Sequence, residues 1–252
     1  MKLLIFGLLT LYVCALVYIY FTQDSQVFNL SEIEKKEPVK GVEHITFEVE
    51  KGVALEGIHR KYENSPLIIY FGGNADDATR IVLHLKDCEI VTFNYRGFVN
   101  SGGKPSEKAI FSDALKIFDK YGKNREVIII GRSLGTGVAT YVASKRDIKG
   151  LILITPYDSI ASIGQKMYPY FPVAFLSKYK FESIKYMLDV KAPVGLIEVE
   201  NDDTIPKYHF DKLREVIPNE VLHVELKNTT HGDVLKHPDF DKTIRKMIDV
   251  MR

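Results

Sequence analysis

The sequence predicts an α/β fold: a mostly parallel, doubly wound sheet with helices on both faces, preceded by one transmembrane helix. Three observations carry this. The chain opens on an apolar stretch, Leu3 to Gln23, without a charged residue. Beyond residue 40, short apolar runs alternate with segments of helical spacing, the pattern of parallel strands joined by right-handed crossovers. One of these runs, Val127 to Gly131, continues through Arg132-Ser133-Leu134-Gly135 into a small-residue helix with no loop between.

The bulk numbers agree with one large domain. The chain has 252 residues, 46% hydrophobic and 27% charged, ordinary values for a globular protein. Lys plus Arg total 34 against 33 for Asp plus Glu. No basic surplus argues for a nucleic-acid partner, and no acidic tail is present. Cys14 lies in the apolar opening and Cys88 in the soluble part, so no structural disulfide is expected. No Cys/His cluster has zinc spacing; neither a metal nor a cofactor is expected.

The apolar core from Leu3 to Phe21 is 19 residues long, enough for a helix to cross roughly 30 Å of hydrocarbon. A cleaved signal peptide would have a shorter core and a small-x-small site, whereas this run ends on Tyr18-Ile19-Tyr20-Phe21. A lipoprotein signal would have a small residue before the cysteine, and Val13 stands there. A buried core helix would show a polar face. An uncleaved anchor at residues 1–23 fits best, with its aromatics at the membrane interface; a cleaved signal is the alternative. Lys2 and the amino terminus precede the span, and Asp24, Glu32, Glu34, Lys35, Lys36 and Glu37 follow it. The positive-inside rule then favours a single-pass protein with a cytoplasmic N-terminus and an extracytoplasmic soluble domain, periplasmic in a bacterium.

Residues 24–40 are polar, carry Pro38 and read as a linker; residues 41–252 read as the domain. "HITFEVE" and "ALEGIHRK" form a hairpin around Lys51-Gly52. "PLIIYF" reads as a buried central strand. "DDATRIVLHLK" has helical spacing at Ile81, Val82 and Leu85. "EIVTFNY" is a strand. "SEKAIFSDALKIFDKYG" is a helix between an N-capping Ser106 and Gly122. "EVIIIG" (strand), "TGVATYVASKR" (helix) and "GLILIT" (strand) follow. "APVGLIEVE" and "VLHVELK" are strands separated by a helix over Lys207 to Val216, and a last helix covers Asp239 to Met251.

Ligands in such sheets bind beyond the carboxyl ends of the strands, so the candidate residues are sought in the loops there. Gly131-x-Ser133-x-Gly135 between a buried strand and a helix holds a serine in a strained turn that only flanking glycines tolerate. The strain raises the hydroxyl above the sheet at a helix N-terminus, where developing negative charge is favoured. Neither Gly-x-Gly-x-x-Gly nor the Walker pattern occurs here, which argues against a phosphate turn. A serine needs a base, and the base an orienting acid, in the chain order Ser, Asp or Glu, His. His209 falls in a helix, His223 alternates within a strand and His237 precedes Pro238. That leaves His231, in "NTTHGD" between the final strand and helix. The acid should follow the penultimate strand, where Glu200, Asp202 and Asp203 stand; Asp202 is the choice and Asp203 the alternative. An oxyanion hole needs backbone N–H donors, here Leu134 and Asn74, the latter in a loop that Gly72 and Gly73 allow to approach a substrate closely.

These segments, with "TFNYRGFVNSGGKPSEKAIFSDALKIFD" and "TPYDSIASIGQKMYPYFPVAFLSKYKFESI", resemble the α/β-hydrolase superfamily over about Val39 to Met251. More narrowly they resemble the Bem46-like (ABHD13/ABHD17-type) serine hydrolases. The Asn94-Tyr95-Arg96-Gly97 turn and the Tyr168-Pro169…Phe171-Pro172 segment are the narrower signals. The resemblance implies the α/β-hydrolase fold, a nucleophile at Ser133, an acid at Asp202, a base at His231 and an N-terminal membrane anchor. The chain departs from the family where Gly72 replaces a histidine in the oxyanion loop and where Val199-Glu200 replaces a glycine before the acid.

The aromatic-rich residues 162–186 read either as helical packing over the sheet or as the wall of an acyl or leaving-group pocket. The leading expectation is therefore a serine hydrolase of esters, thioesters or lipid-acyl bonds acting on a small-molecule or lipid-like substrate. A peptidase or amidase on the same fold is the alternative within enzymes. A non-catalytic membrane-tethered binding protein is the alternative outside them.

Overall fold

The computed structural model describes residues 1–30, 33 and 37–252. Among them, the strands β1 (Glu43–Glu50), β2 (Val53–Arg60), β3 (Leu67–Phe71), β4 (Glu89–Phe93), β5 (Val127–Arg132), β6 (Gly150–Ile154), β7 (Val194–Asn201) and β8 (Glu220–Thr230) form one sheet in the order β1-β2-β4-β3-β5-β6-β7-β8. The β1–β2 and β2–β4 pairs are antiparallel, and every later pair is parallel. The helices are α1 (Lys2–Val27), α2 (Glu107–Tyr121), α3 (Leu134–Ala143), α4 (Ile160–Met167), α5 (Val173–Leu176), α6 (Ser183–Met187), α7 (Lys207–Arg214) and α8 (Phe240–Val250). This is the α/β-hydrolase arrangement that the sequence implies.

The central strands β3 to β6 are buried along their whole length, because helices cover both faces and no residue of such a strand meets water. The two-residue period of a strand divides their side chains between two cores. Ile69, Phe71 and Ile129 pack with Ile117, Phe118 and Val138 of α2 and α3. Ile68, Tyr70, Ile128 and Ile130 pack on the other side with Ile244 and Met247 of α8. Ser106 caps α2 by accepting from the Ala109 amide at 3.3 Å.

One segment differs from the sequence reading. Residues Ala78–Leu83 form a 3-10 helix, not an α-helix. The Asp77 carboxylate caps it at Thr79, and the Asn94 side chain takes up the Ala78 amide at 2.8 Å. Ile81, Val82 and Leu85 are buried as their spacing requires. A few apolar residues so close together satisfy a tight turn as well as an α-helix.

Helix α1 continues past Gln23 to Val27, and Phe28 is buried in the α2–α3 core against Tyr179 and Phe181. Of the residues read as a linker, 31, 32 and 34–36 lie outside the described ones, among them Glu32, Glu34, Lys35 and Lys36 of the orientation argument. α1 is long and apolar enough to cross a membrane. Cys14 is exposed, Cys88 is buried, and both are free thiols.

Candidate active site

Strand β5 runs into α3 through a single residue. Ser133 has φ 48° and ψ −121°, a backbone conformation that costs a non-glycine residue about 1–3 kcal/mol and persists only where the surroundings impose it. The surroundings do so. The Ser133 amide donates to the Ile154 carbonyl of β6 at 2.9 Å, and its carbonyl accepts from the Thr136 amide at 2.8 Å and the Thr136 hydroxyl at 2.7 Å. The flanking glycines permit the packing that forces the turn. A Cβ on Gly135 would overlap the Phe71 and Gly72 carbonyls, and one on Gly131 would stand 2.5 Å from the Gly135 carbonyl oxygen. Helix α3 therefore begins pressed against β3 and β5, with Ser133 at its tip.

His231 follows β8 directly and is buried. Its Nε2 lies 2.8 Å from Ser133 Oγ, and its Nδ1 lies 2.9 Å from Asp202 Oδ2. Asp202 follows β7, and its Oδ1 also accepts from the Thr204 amide at 3.0 Å and the Ile205 amide at 2.6 Å. These backbone donors aim the carboxylate at the imidazole. Asp203 instead accepts from the Thr204 hydroxyl at 3.2 Å, and Glu200 accepts from the Asn228 amide at 2.8 Å. The structure thus brings Ser133, His231 and Asp202 into one hydrogen-bonded chain and leaves the other two acids out of it. The other histidines considered are engaged elsewhere: His209 with Asp158, His223 with Glu198 and His237 with the Lys227 carbonyl.

The loop after β3 passes beside the serine. A Cβ on Gly73 would lie 3.4 Å from the Ser133 Cβ, so the glycine lets this backbone close on the site. The Gly73 amide is taken by Asp76 Oδ2 at 3.1 Å, and the Gly72 carbonyl accepts from the Tyr95 hydroxyl at 2.9 Å. The Asn74 side-chain oxygen accepts from the amides of Asn29 and Ala75, at 3.0 Å each. The backbone amides of Asn74 and Leu134 have no acceptor among the described residues. Leu134 is the first residue of α3, so no intrahelical carbonyl is available to it.

Arg132 is a part of the site that the sequence analysis did not single out. Its Nη1 donates to Asp76 Oδ2 at 2.6 Å and its Nη2 to the His231 carbonyl at 3.2 Å. One guanidinium therefore ties the loop after β3 to the histidine loop. Burial works against its charge, but Asp76, aided by Tyr70 and Asp202, holds its pKa above the ordinary arginine value. The signal available in the sequence was a charged residue ending an otherwise apolar strand. Among the described residues no group of three or more His, Cys, Asp or Glu side chains is placed to hold a metal ion.

Ser133, Leu134 and Asn74 open onto a cavity of about 700 Å³, within the range of about 300–1,000 Å³ for small-molecule sites. Ile160, Ile163 and Met167 of α4, Val173 of α5, Tyr157 and Ile205 line it. The aromatic-rich segment therefore both packs over the sheet and walls the cavity.

No protein-family model matches the chain. An uncharacterized protein of Mycobacterium tuberculosis is 27% identical over 202 residues, 75% of this chain and 72% of that protein. The lysophosphatidylserine lipase ABHD12 of Rattus norvegicus is 33% identical over 182 residues, 61% of this chain but only 46% of the lipase. Among solved structures, alpha/beta hydrolase domain-containing protein 10 from mouse superposes with a TM-score of 0.65 at 18% identity, covering 83% of this chain and 100% of that one. Sheet order and structural likeness make this an α/β-hydrolase fold.

Proposed function

We propose that the protein is a membrane-anchored serine hydrolase that cleaves carboxylic ester, thioester or lipid-acyl bonds through an acyl-enzyme. The observation that carries this reading is the unbroken hydrogen-bond chain from Ser133 Oγ through His231 to Asp202. Ser133 Oγ attacks the acyl carbon while its proton passes to His231 Nε2. His231 returns that proton to the departing alcohol or thiol as the acyl–oxygen or acyl–sulfur bond breaks. Water then attacks the acyl-serine, giving its proton to His231, and Ser133 is regenerated. Asp202 holds the imidazole in the tautomer with the proton on Nδ1 and stabilises the imidazolium. The Asn74 and Leu134 amides are the donors for the oxyanion, a contribution of about 10²–10³ in rate per donor.

The apolar side of the cavity, formed by Ile160, Ile163, Met167 and Val173, favours an acyl chain over a peptide, and the rat relative is named a lysophosphatidylserine lipase. In this reading α1 is a single-pass anchor and the domain lies on the extracytoplasmic side; the turn at residues 94–97 supports a Bem46-like branch. A fluorophosphonate probe should label the full-length protein and spare Ser133→Ala. Hydrolysis of p-nitrophenyl esters should exceed hydrolysis of peptide amides. Failure of folded wild-type protein to react with the probe would refute the enzyme reading in favour of a binding protein.

A further inference from the structure

Helix α1 meets the domain along one face. Residues 1–14 are exposed, while Ala15, Leu16, Ile19, Gln23 and Val27 turn inward, at the spacing of a single helix face. That face is fastened to the segment between α4 and α6. The Tyr12 ring stacks on Phe171 with centroids 5.1 Å apart, and its hydroxyl donates to the Tyr170 carbonyl at 3.1 Å. Gln23 is buried and bridges the same segment: its Nε2 donates to the Leu176 carbonyl at 3.2 Å, and its Oε1 accepts from the Lys178 amide at 2.7 Å. Asp24 accepts from the Tyr179 hydroxyl at 2.9 Å. From Tyr12 to Asp24 these fastenings run about 18 Å along the helix.

Two consequences follow if α1 spans the bilayer. Tyr12 lies midway along the apolar run from Leu3 to Phe21, so the segment stacked on it is carried into the hydrocarbon. That segment is built for the position: next to the Tyr12 contact it exposes large apolar side chains, Met167, Tyr170 and Phe175 being 67%, 87% and 85% exposed, of the kind that marks an interaction surface. Moreover, Ile19, Gln23 and Val27 line the same cavity as Ser133. The anchor is a wall of the site.

We propose that α1 and residues 160–177 form a lateral mouth set in one leaflet, through which the acyl chain of a bilayer-resident lipid ester slides along Ile19 and Val27 to Ser133. This rests on the serine-hydrolase reading and names its substrate class: long-chain acyl lipids delivered from the membrane. A chain taking this route never enters water, so the hydrophobic cost of extracting it is avoided.

The chain contains no tryptophan, so Phe175→Trp in the full-length protein supplies a single fluorophore. In phosphatidylcholine vesicles brominated on the acyl chains its emission should be strongly quenched, and aqueous acrylamide should quench it little. Quenching by acrylamide with none by bromine would overturn the immersed mouth. Ile19→Trp narrows the wall. The ratio of kcat/KM for a long-chain ester to that for a butyrate ester should fall about tenfold or more. Val17→Trp, on the 50% exposed side of the same helix, should leave that ratio unchanged. A ratio unaffected by Ile19→Trp in folded protein would overturn the wall assignment. Failure of the hydrolase reading is distinguishable: wild type would then turn over neither ester nor react with fluorophosphonate, whatever the bromine result.

Discussion

Arg132→Met tests whether the two loops around Ser133 are held by one cation. The substitution keeps the apolar stem of the side chain while deleting the 2.6 Å pair with Asp76 and the 3.2 Å bond to the His231 carbonyl. The Arg132 and Asp76 side chains are 10% and 25% exposed. Removing one partner of a buried pair costs about 3–5 kcal/mol because the other charge is left uncompensated. Asp76 keeps the Gly73 amide and some solvent, so the lower end applies, about 3 kcal/mol. For a domain of this size that is a fall in Tm of roughly 6–12 °C. The His231 loop loses a fastening as well, and misplacing a base by an ångström costs about 10² in rate. We therefore expect kcat on a short ester to fall on the order of 10²-fold with KM little changed. The readouts are thermal unfolding and steady-state kinetics of Arg132→Met, Asp76→Asn and the double variant. The double variant should be less destabilised than the sum of the singles, with a coupling of about 1–3 kcal/mol. Strict additivity, or a wild-type Tm and kcat in Arg132→Met, would refute the clamp.

Three further outcomes are expected. Asp202→Asn should lower kcat about 10³–10⁴-fold by presenting the wrong tautomer of His231, whereas Asp203→Asn should leave it near wild type; the reverse order in an ester assay would reassign the acid. Gly135→Ala should cost about 3 kcal/mol or more, since its Cβ would meet backbone carbonyls that cannot withdraw, while Gly232→Ala, which meets nothing within 4 Å, should be tolerated; equal thermal stability of the two variants would sink this account of the turn. Glu89 gives a pH dependence: burial raises its pKa, but hydrogen bonds from Arg125 and from His59, the latter at 2.8 Å, hold it below the usual carboxylate range. A folded-state pKa lying below the unfolded value of about 4.3 contributes stability that is present above that value and is lost as pH falls through the folded one. Urea midpoints measured between about pH 7 and about pH 3.5 should fall less steeply for Glu89→Gln than for wild type, and parallel curves would remove Glu89 from the explanation.

What the sequence determined by itself was local. The alternation of apolar runs and helical spacing foretold the sheet, because burial on both faces leaves a strand no polar position. The Gly-x-Ser-x-Gly turn was legible because its demand for small neighbours is met within five consecutive residues. His231 and Asp202 were legible as loop positions after particular strands, since strand order dictates which loops share a rim. The tertiary structure alone decided the rest. Ser133 and His231 are 98 residues apart along the chain and His231 and Asp202 are 29 apart, and only chain closure shows that Asp202, not Asp203, faces the imidazole. Residues 78–83 carry apolar spacing that fits either helix type, and the capping bonds of Asp77 and Asn94 chose the tighter one. Arg132 and Asp76 are separated by 56 residues, and no periodicity encodes their pairing. α1 reads as a uniform apolar segment, yet one of its faces is spent on the α4–α6 segment and on the cavity. Period and turn chemistry are written in neighbouring residues, whereas a pairing between distant side chains exists only once packing has brought them together.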